Sequence, residues 1–348
     1  MRKINIKIFA TILIVLVCCY VLIASFFSPH SYTNDGEISI RGIAMDSTYS
    51  VTIADQIQFP IIKIKDETAK TLQHIENTFS LWQDDSELTL INQAPINTSI
   101  QISNEMTEIF NKSRYFYKLS NGLLDPTILP LLNLWGFGPN GDKAPPTEEE
   151  ISNVAKKVDF ASYKLNNNTL IKTNPEAQLD FSAIIPGYAA DKIAELMEQY
   201  NIHNYLINIG GEMRISGLSP SKSPWIIGIE DPLNPVGKDE KIVKYIQLTS
   251  GGVATSGTYR KFKKHGINKI HHIINPRTYH PSKSDIVSIT VLAPSALEAD
   301  ALSTFLLIMG SNMGLSWLNN YPQYNAFIIK EDGNIAFSDK LEPLFKLE

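Results

Sequence analysis

Two residues near the C-terminus could hold a metal ion. Ser295 is a typical helix start, with Glu298 three residues later and a long apolar run behind it. Asp300 and Thr304 are spaced i, i+4 and therefore share one face of this predicted helix. A carboxylate and a hydroxyl so placed can bind a hard cation such as Mg²⁺ and leave positions for substrate phosphates. An aspartate near a helix start can also simply complement the helix dipole.

A second segment could bind an anion. Residues 178–181 are predicted to form a strand, followed by a small-residue turn and a helix over 188–200. Pro186 suits the start of that helix, where its missing N–H costs nothing. Free N–H groups at a helix N-terminus favour negative charge, so this turn could receive a phosphate. The same residues could form a purely structural turn.

Two further segments carry small or titratable side chains. Residues 251–260, GGVATSGTYR, are interpreted as a small-residue loop that lets the backbone approach a ligand, or as a loop without a ligand. His271 and His272 are consecutive on a strand predicted over 270–274, so they point to opposite faces and at most one reaches a given site. A histidine there can act as a general base near neutral pH, or be structural.

Aromatic side chains occur in two other segments. Trp82 lies in a polar stretch and could stack on a flat ring system. Trp135 and Phe137 lie in the apolar stretch LLNLWGFGP and are expected to serve the core.

The elements that must position these residues mix strands and helices irregularly, which favours an α+β fold. Two strands around a short loop are predicted over 37–53, and helices over 62–79 and 105–119. Further strands are predicted over 205–209, 225–229, 245–248, 286–292, 324–329 and 335–337. No break in composition divides residues 37–348, which are therefore predicted to form one catalytic domain.

Residues 1–27 are predicted to be a signal anchor or a signal peptide, joined to the body by a linker over 28–36. Three basic residues precede an uncharged run from Ile8 to Phe27, which is long enough to cross a bilayer as a helix. The basic flank would stay in the cytoplasm and place the body outside; a cleaved signal peptide is the alternative. Both cysteines, Cys18 and Cys19, lie in this run, so the exported body has neither a disulfide nor a thiol nucleophile.

Composition excludes one class of partner. The 348 residues carry a net charge of −5, with 43% hydrophobic and 19% charged residues, as in ordinary globular proteins. Because nucleic acids require a basic surface, no nucleic-acid partner is expected.

Eight short segments stand in series over residues 42–310. They read GIAMDSTYSV, DDSELTLIN, SNGLLDPTILPLLNLWGFGP, LDFSAIIPGYAADKIAEL, YLINIGGEMRISG, GGVATSGTYR, HHIINPRT and EADALSTFLLIMG. Together they resemble the ApbE family of FAD:protein FMN transferases. The resemblance implies the family's α+β fold, which is related to the tunnelling fold. It also implies that a Thr or Ser hydroxyl of a partner protein attacks the FMN-side phosphorus of FAD and releases AMP.

The resemblance also implies roles for individual residues. Asp300 and Thr304 match the family's Mg²⁺ ligands, with the backbone carbonyl of Ala183 as a third, so that Asp300 serves catalysis through the metal. His272 matches the histidine that deprotonates the acceptor hydroxyl. The positions that contact FAD correspond to Met45, Trp82, Leu123, Leu124, Asp125, Asp180, Pro186 and Ile273.

Five positions depart from the family's pattern. They are Leu124 for phenylalanine, Pro186 for lysine or glutamate, Thr258 and Asn275 for aspartate, and Tyr279 for glycine. Pro186 removes a side-chain contact to FAD, and the two missing carboxylates reduce the negative charge near the base. Since Asp300, Thr304 and His272 are retained, the metal and the chemistry are expected to be retained.

The implied partners are FAD and an acceptor protein. The acceptor would be an exported flavin-carrying subunit of a membrane redox complex or a secreted reductase domain. The expected location is the bacterial inner membrane, with the catalytic domain on its extracytoplasmic side. Two other functions stay open: FAD binding without transfer, favoured by Pro186, Thr258 and Asn275, and metal-dependent hydrolysis of FAD to FMN and AMP.

Overall fold

The computed structural model describes residues 31–34, 37–57, 60–234, 241–265 and 268–346. The α-helices in these ranges are α1 (Ile61–Phe79), α2 (Glu87–Gln93), α3 (Asn104–Leu119), α4 (Leu129–Leu134), α5 (Glu148–Ala155), α6 (Ile185–Gln199), α7 (Ala296–Met309) and α8 (Ser311–Leu318). The strands are β1 (Ser31–Asn34), β2 (Glu37–Ala44), β3 (Ser47–Ile53), β4 (Ser99–Gln101), β5 (Tyr163–Asn166), β6 (Thr169–Lys172), β7 (Tyr205–Ile209), β8 (Glu212–Ser216), β9 (Trp225–Glu230), β10 (Ile242–Leu248), β11 (Ser250–Gly257), β12 (Phe262–His265), β13 (Asn268–His271), β14 (Ile286–Ala293), β15 (Asn325–Lys330) and β16 (Ile335–Phe337).

Within the described residues, nine of these strands form one antiparallel sheet. Its order is β1-β2-β3-β7-β8-β11-β14-β15-β16. Three smaller antiparallel sheets are β9 with β10, β12 with β13, and β4-β6-β5. Helices and antiparallel strands follow one another in no regular order, which confirms the α+β class.

Both faces of the large sheet are covered. Helices α6 and α7 pack on one face, around side chains such as Ile207 and Val291. The β9–β10 hairpin covers the other face, where Val253 and Leu292 lie in its apolar cluster. All eight residues of β14 are therefore buried. In a strand with one face exposed to solvent, buried and exposed residues would alternate.

Most predicted elements are present. The two strands over 37–53 are β2 and β3, the helix over 62–79 is α1, and the helix over 105–119 is α3, which begins one residue earlier. The predicted helix over 188–200 is α6, which begins at Ile185 and so includes Pro186 in its first turn.

The strand predicted over 178–181 is wrong. These residues join no sheet, because other groups satisfy their backbone. Leu179 N–H donates to Asn92 Oδ1 at 2.7 Å, and Asn92 Nδ2 donates to the Leu179 carbonyl at 2.9 Å. Asp180 N–H donates to the Pro126 carbonyl at 2.7 Å. The side-chain amide of Asn92 thus makes the backbone hydrogen bonds that a neighbouring strand would otherwise make.

Two other boundaries differ from the sequence prediction. Residues 250–257, interpreted as part of a loop, form the internal strand β11. Its small residues are required because α7 packs closely on it: a Cβ at Gly252 would lie 2.2 Å from the Ser295 carbonyl carbon. The strand predicted over 270–274 ends at His271.

The predicted membrane segment, residues 1–27, lies outside the described residues, so that prediction is untested. Among the described residues, no helix combines the length and apolar character that a bilayer crossing requires. Residues 31–34 of the predicted linker form β1, which pairs with β2.

Candidate functional site

A cleft with a volume of about 370 Å³ lies where α7, the end of β11, the turn before α6 and the β2–β3 turn meet. It brings together most of the residues singled out from the sequence. These are Met45, Leu123, Leu124, Asp125, Asp180, Ala183, Pro186, His272, Ile273, Asp300 and Thr304. Trp82 is the exception: it is 61% exposed and does not line the cleft.

The start of α7 is fixed on three sides. Ser295 Oγ accepts the Glu298 N–H, and the Asp191 carboxylate accepts the N–H groups of residues 296 and 297 at 3.0 and 2.9 Å. A Cβ at Gly187 would lie 2.4 Å from the Ala296 carbonyl oxygen, so α6 can approach α7 this closely only with glycine there. Residues on α7 are therefore presented to the cleft from a rigid support.

Asp300 and Thr304 lie on the cleft wall one turn apart. Asp300 is 6% exposed, and its Oδ2 accepts the Gly187 N–H at 3.0 Å. No other hydrogen bond to this carboxylate comes from the described part of the chain. Burial, and then the negative charge of Glu212, raise the pKa of Asp300 well above its usual value. Among the described residues, the other oxygen of this buried carboxyl accepts no hydrogen bond, and no basic side chain pairs with it. A bound cation would supply the missing partner.

Glu212 was not singled out from the sequence. It follows Gly210 and Gly211, which turn the chain between β7 and β8 with positive φ angles of 68° and 119°. Burial raises the pKa of Glu212 to about 7. A carboxylate after a glycine pair is common in hairpin turns, so only the fold shows that this one faces Asp300.

The charge balance of the cleft favours a cation. Five acidic side chains line it, from residues 46, 125, 180, 212 and 300, against two basic ones, Arg260 and Lys261. Arg260 also forms an ion pair with Glu230, with 2.5 Å between Nη2 and Oε2. Within the described ranges no three His, Cys, Asp or Glu side chains converge to enclose a metal. The carboxylate of Asp300, the hydroxyl of Thr304 and the Ala183 carbonyl are oxygen groups at this cleft that could hold a hard cation such as Mg²⁺.

The N-terminus of α6 does not offer a free anion site. The Gly187 N–H points at Asp300, and the Ile185 N–H donates to the Phe181 carbonyl at 3.1 Å. Pro186 has no N–H to give. The anion held by this helix start is therefore the carboxylate of Asp300 itself, and the structural interpretation of the turn is the better one.

His272 is prepared to accept a proton. Its Nδ1 lies 3.1 Å from the Lys261 carbonyl oxygen, which can only accept, so Nδ1 carries the hydrogen and Nε2 keeps its lone pair. Burial lowers the pKa of His272 to about 4, so the ring is neutral at physiological pH. The adjacent His271 instead directs Nε2 to the Ser282 carbonyl at 3.0 Å. Only one of the two histidines lines this cleft, as expected, although His272 lies just beyond the end of β13 and not on the strand.

The β2–β3 turn presents Met45 to the cleft in an unusual backbone conformation. Met45 and Asp46 have φ angles of 52° and 54°, as the two central residues of a type I′ hairpin turn require. Glycine or asparagine usually occupies such positions. The carboxylate of Glu76, on α1, accepts the Met45 N–H and holds this turn in place. No local sequence signal links Glu76 to a turn thirty-one residues earlier.

Ser113 is a further cleft residue that the sequence did not reveal. It belongs to the buried stripe of α3 with Met106, Phe110 and Phe116, where it looks like an ordinary small core residue. It is 4% exposed and lines the cleft, yet its Oγ has no hydrogen-bond partner among the described residues. By contrast, the buried Thr78 hydroxyl bonds the carbonyl one turn earlier in α1. An unpartnered hydroxyl facing a cleft is a candidate ligand contact.

The departures from the family pattern have visible structural effects. Tyr279, at the position normally held by glycine, has a φ of 64° and presents its carbonyl to Trp135 Nε1 at 3.0 Å. Asn275 accepts the Arg277 N–H on its side-chain oxygen. Thr258 does not line the cleft. Trp135 is 8% exposed and packs in a small apolar cluster, as expected for a core residue.

Comparison with known proteins agrees with this fold. The model of the ApbE family matches residues 45–328. The chain is 35% identical over 321 residues to the FAD:protein FMN transferase of Haemophilus influenzae, covering 89% of this chain and 90% of that protein.

Solved structures show the same fold. The flavin transferase ApbE from Vibrio cholerae superposes with a TM-score of 0.80 at 30% identity, covering 90% of this chain and all of that one. The ApbE protein from Thermotoga maritima gives a TM-score of 0.81 at 26% identity, covering 91% and 100%. The family match spans most of the chain, and the cleft residues lie within it. This protein is a member of the ApbE family.

Proposed function

We propose that this chain transfers FMN from FAD to a Thr or Ser hydroxyl of a partner protein in the presence of Mg²⁺, releasing AMP. The observation that carries the proposal is the meeting of Asp300 and Thr304 with a neutral His272 on the walls of one cleft. Relatives that share a third of its sequence are named FAD:protein FMN transferases, which supports the same activity.

Asp300, Thr304 and the carbonyl of Ala183 would hold the metal. Their oxygen atoms suit Mg²⁺, and the excess of acidic side chains in the cleft would balance the positive charge of the ion. When bound, the ion neutralises the diphosphate of FAD and polarises its P–O bonds. Without it, a diphosphate would enter a cleft in which acidic side chains outnumber basic ones.

His272 would act as the general base. Its Nε2 accepts the proton of the acceptor hydroxyl, because Nδ1–H is committed to the Lys261 carbonyl. The hydroxyl oxygen forms a bond to the FMN-side phosphorus as the bond from that phosphorus to the bridging oxygen breaks. The electron pair of the broken bond leaves with AMP.

The remaining cleft residues would bind FAD. Apolar side chains of Met45, Leu123, Leu124 and Ile273 line one part, and the buried acids Asp125 and Asp180 another, where burial raises both pKa values. Pro186 shapes the wall without a side-chain hydrogen bond. The stacking role of Trp82 stays a prediction, since this side chain lies outside the cleft.

The catalytic body would work outside the cytoplasm, tethered by the apolar run over 8–27. Its acceptor would then be an exported flavin-carrying subunit of a membrane redox complex, or a secreted reductase domain.

The test is a transfer assay on the chain without its first 27 residues and on the full-length chain. Each is incubated with FAD, Mg²⁺ and purified extracytoplasmic domains of flavin-carrying redox subunits, and AMP and protein-bound flavin are measured after denaturation. AMP with covalent flavin supports transfer. AMP with free FMN would identify a hydrolase, and bound FAD without either product would identify a binding protein.

Ser113→Ala is expected to weaken FAD binding about fivefold, because the bound ligand loses one hydrogen bond worth about 1 kcal/mol. The melting temperature of the FAD-free protein should stay the same or rise, since the lost hydroxyl had no partner. FAD titration and thermal melting measure the two effects. Thr68→Val is the matched control: Thr68 is also buried without a partner, but it does not line the cleft. Equal FAD affinity in Ser113→Ala and wild type would refute this contact.

Glu76→Ala is expected to raise the KM for FAD about tenfold, because the Met45 turn loses the carboxylate that holds its N–H. Glu76→Gln should lose much less, since its amide oxygen can still accept that hydrogen bond. Steady-state kinetics on both variants, with melting curves to confirm folding, give the comparison. A similar KM in the two variants would show that Glu76 does not position the turn.

A further inference from the structure

A second cleft, of about 590 Å³, adjoins the catalytic cleft. Loop residues between 275 and 285 form one wall, and the junction of α7 and α8 forms the other. Ile308 lines both clefts, and Asn275 directly follows residues 272–274, which line the first. A ligand in the second cleft would therefore extend toward the edge of the cleft that His272 lines.

Two polar groups in this second cleft have no hydrogen-bond partner in the described part of the chain, and only one of them, Ser282 Oγ, is a buried atom. Ser282 is 8% exposed, and its Oγ makes no hydrogen bond. Asn275 Oδ1 accepts the Arg277 N–H at 2.9 Å, while its Nδ2 donates to none of the described residues. Asp285, in the same wall, is already engaged by the Ser311 N–H at 2.9 Å. A buried hydroxyl without a partner destabilises the protein, so a ligand that satisfies it gains affinity.

The rim of the second cleft combines an apolar and a basic side chain. Met313 is 67% exposed, and Lys283 is exposed and forms no ion pair with the described residues. An unbranched thioether adapts to varied partners. Unpaired hydrogen-bonding groups beside an apolar rim suit an extended polypeptide, whose N–H and C=O groups alternate along the chain.

We propose that the second cleft binds the acceptor protein as an extended segment flanking the Thr or Ser that receives FMN. This inference rests on the proposed transferase function. The acceptor hydroxyl enters the catalytic cleft beside His272, while neighbouring residues of the acceptor satisfy Ser282 and Asn275 and cover Met313.

The test is the double variant Ser282→Ala, Met313→Ser, assayed with the acceptor domain that the wild-type enzyme flavinylates. The KM for that domain should rise about tenfold, while kcat at saturating acceptor and the Kd for FAD stay at wild-type values. The unchanged FAD affinity shows that the variant is folded. Thr68→Val is the control. It removes a buried hydroxyl that also has no partner among the described residues but lines neither cleft, so the acceptor KM should stay unchanged.

Three results would overturn the inference. An unchanged acceptor KM in the double variant shows that acceptors do not use this cleft. An equal rise in Thr68→Val shows that the effect is general rather than local. If the wild-type enzyme binds FAD but modifies no acceptor domain, the proposed function itself fails, and this inference with it.

Discussion

Asp300→Ala is expected to reduce FMN transfer by about 1000-fold or more, because it removes the carboxylate that would hold the metal against the diphosphate. The loss should not come from unfolding. In the metal-free protein this buried acid faces the like charge of Glu212, which offsets the hydrogen bond from the Gly187 N–H, so its removal should change the melting temperature little. Transfer rates and melting curves, each measured with and without Mg²⁺, separate the two effects.

Metal binding gives an independent readout for the same variant. Mg²⁺ should raise the melting temperature of the wild-type protein and leave that of Asp300→Ala unchanged, since only a ligand that binds the folded state stabilises it. Asp142→Ala is a suitable control, because Asp142 is an exposed acid on the surface that pairs with Lys263. Full transfer activity in Asp300→Ala would refute the site assignment.

His272→Ala is expected to slow transfer by a factor of about 10² to 10⁴, the usual contribution of a general base, and to leave FAD affinity largely intact. Because burial lowers the pKa of His272 to about 4, the base stays unprotonated down to mildly acidic pH. As the pH is lowered, protonation of His272 should reduce the kcat/KM of the wild-type enzyme with a midpoint near pH 4, instead of the 6.5 of an ordinary histidine. The residual kcat/KM of His272→Ala should not show this decrease.

His271→Ala is the natural comparison. His271 is the adjacent residue with the same side chain, but its ring contacts the Ser282 carbonyl and does not line the cleft. It should keep most of the transfer rate. A larger loss in His271→Ala than in His272→Ala would reverse the assignment of the base.

Local patterns predicted the elements well where one physical signal dominates. The i, i+4 spacing of Asp300 and Thr304 placed both on one face of α7. The separation of His272 from His271 was also predicted, but its premise was wrong, because the strand ends at His271. The serine at the helix start predicted where α7 begins.

Long-range contacts explain what the sequence did not predict. The segment over 178–181 has the composition of a strand, but the side chain of Asn92, more than eighty residues away, takes its backbone hydrogen bonds. The small residues of 250–257 suggested a loop because nothing local shows that α7 must pack on Gly252. Tertiary packing overrides local composition in both cases.

The same limit applies to the site. Glu212, Glu76 and Ser113 come from a hairpin turn and two helices that only the folded chain brings to the cleft or to its supporting turn. Each has an ordinary local explanation: a turn acid, a surface acid on a helix and a small core residue. Only burial without a partner, or a contact across the fold, distinguishes them.

The excess of acidic side chains in the catalytic cleft has a thermodynamic consequence. If Mg²⁺ and FAD bind together in this cleft, as proposed, each must raise the affinity of the protein for the other by an equal factor. Occupancy by the dinucleotide then depends on the free divalent ion concentration of the compartment as well as on the supply of FAD. Under the proposed function, the rate of flavin transfer would then respond to cation supply even at a constant FAD concentration.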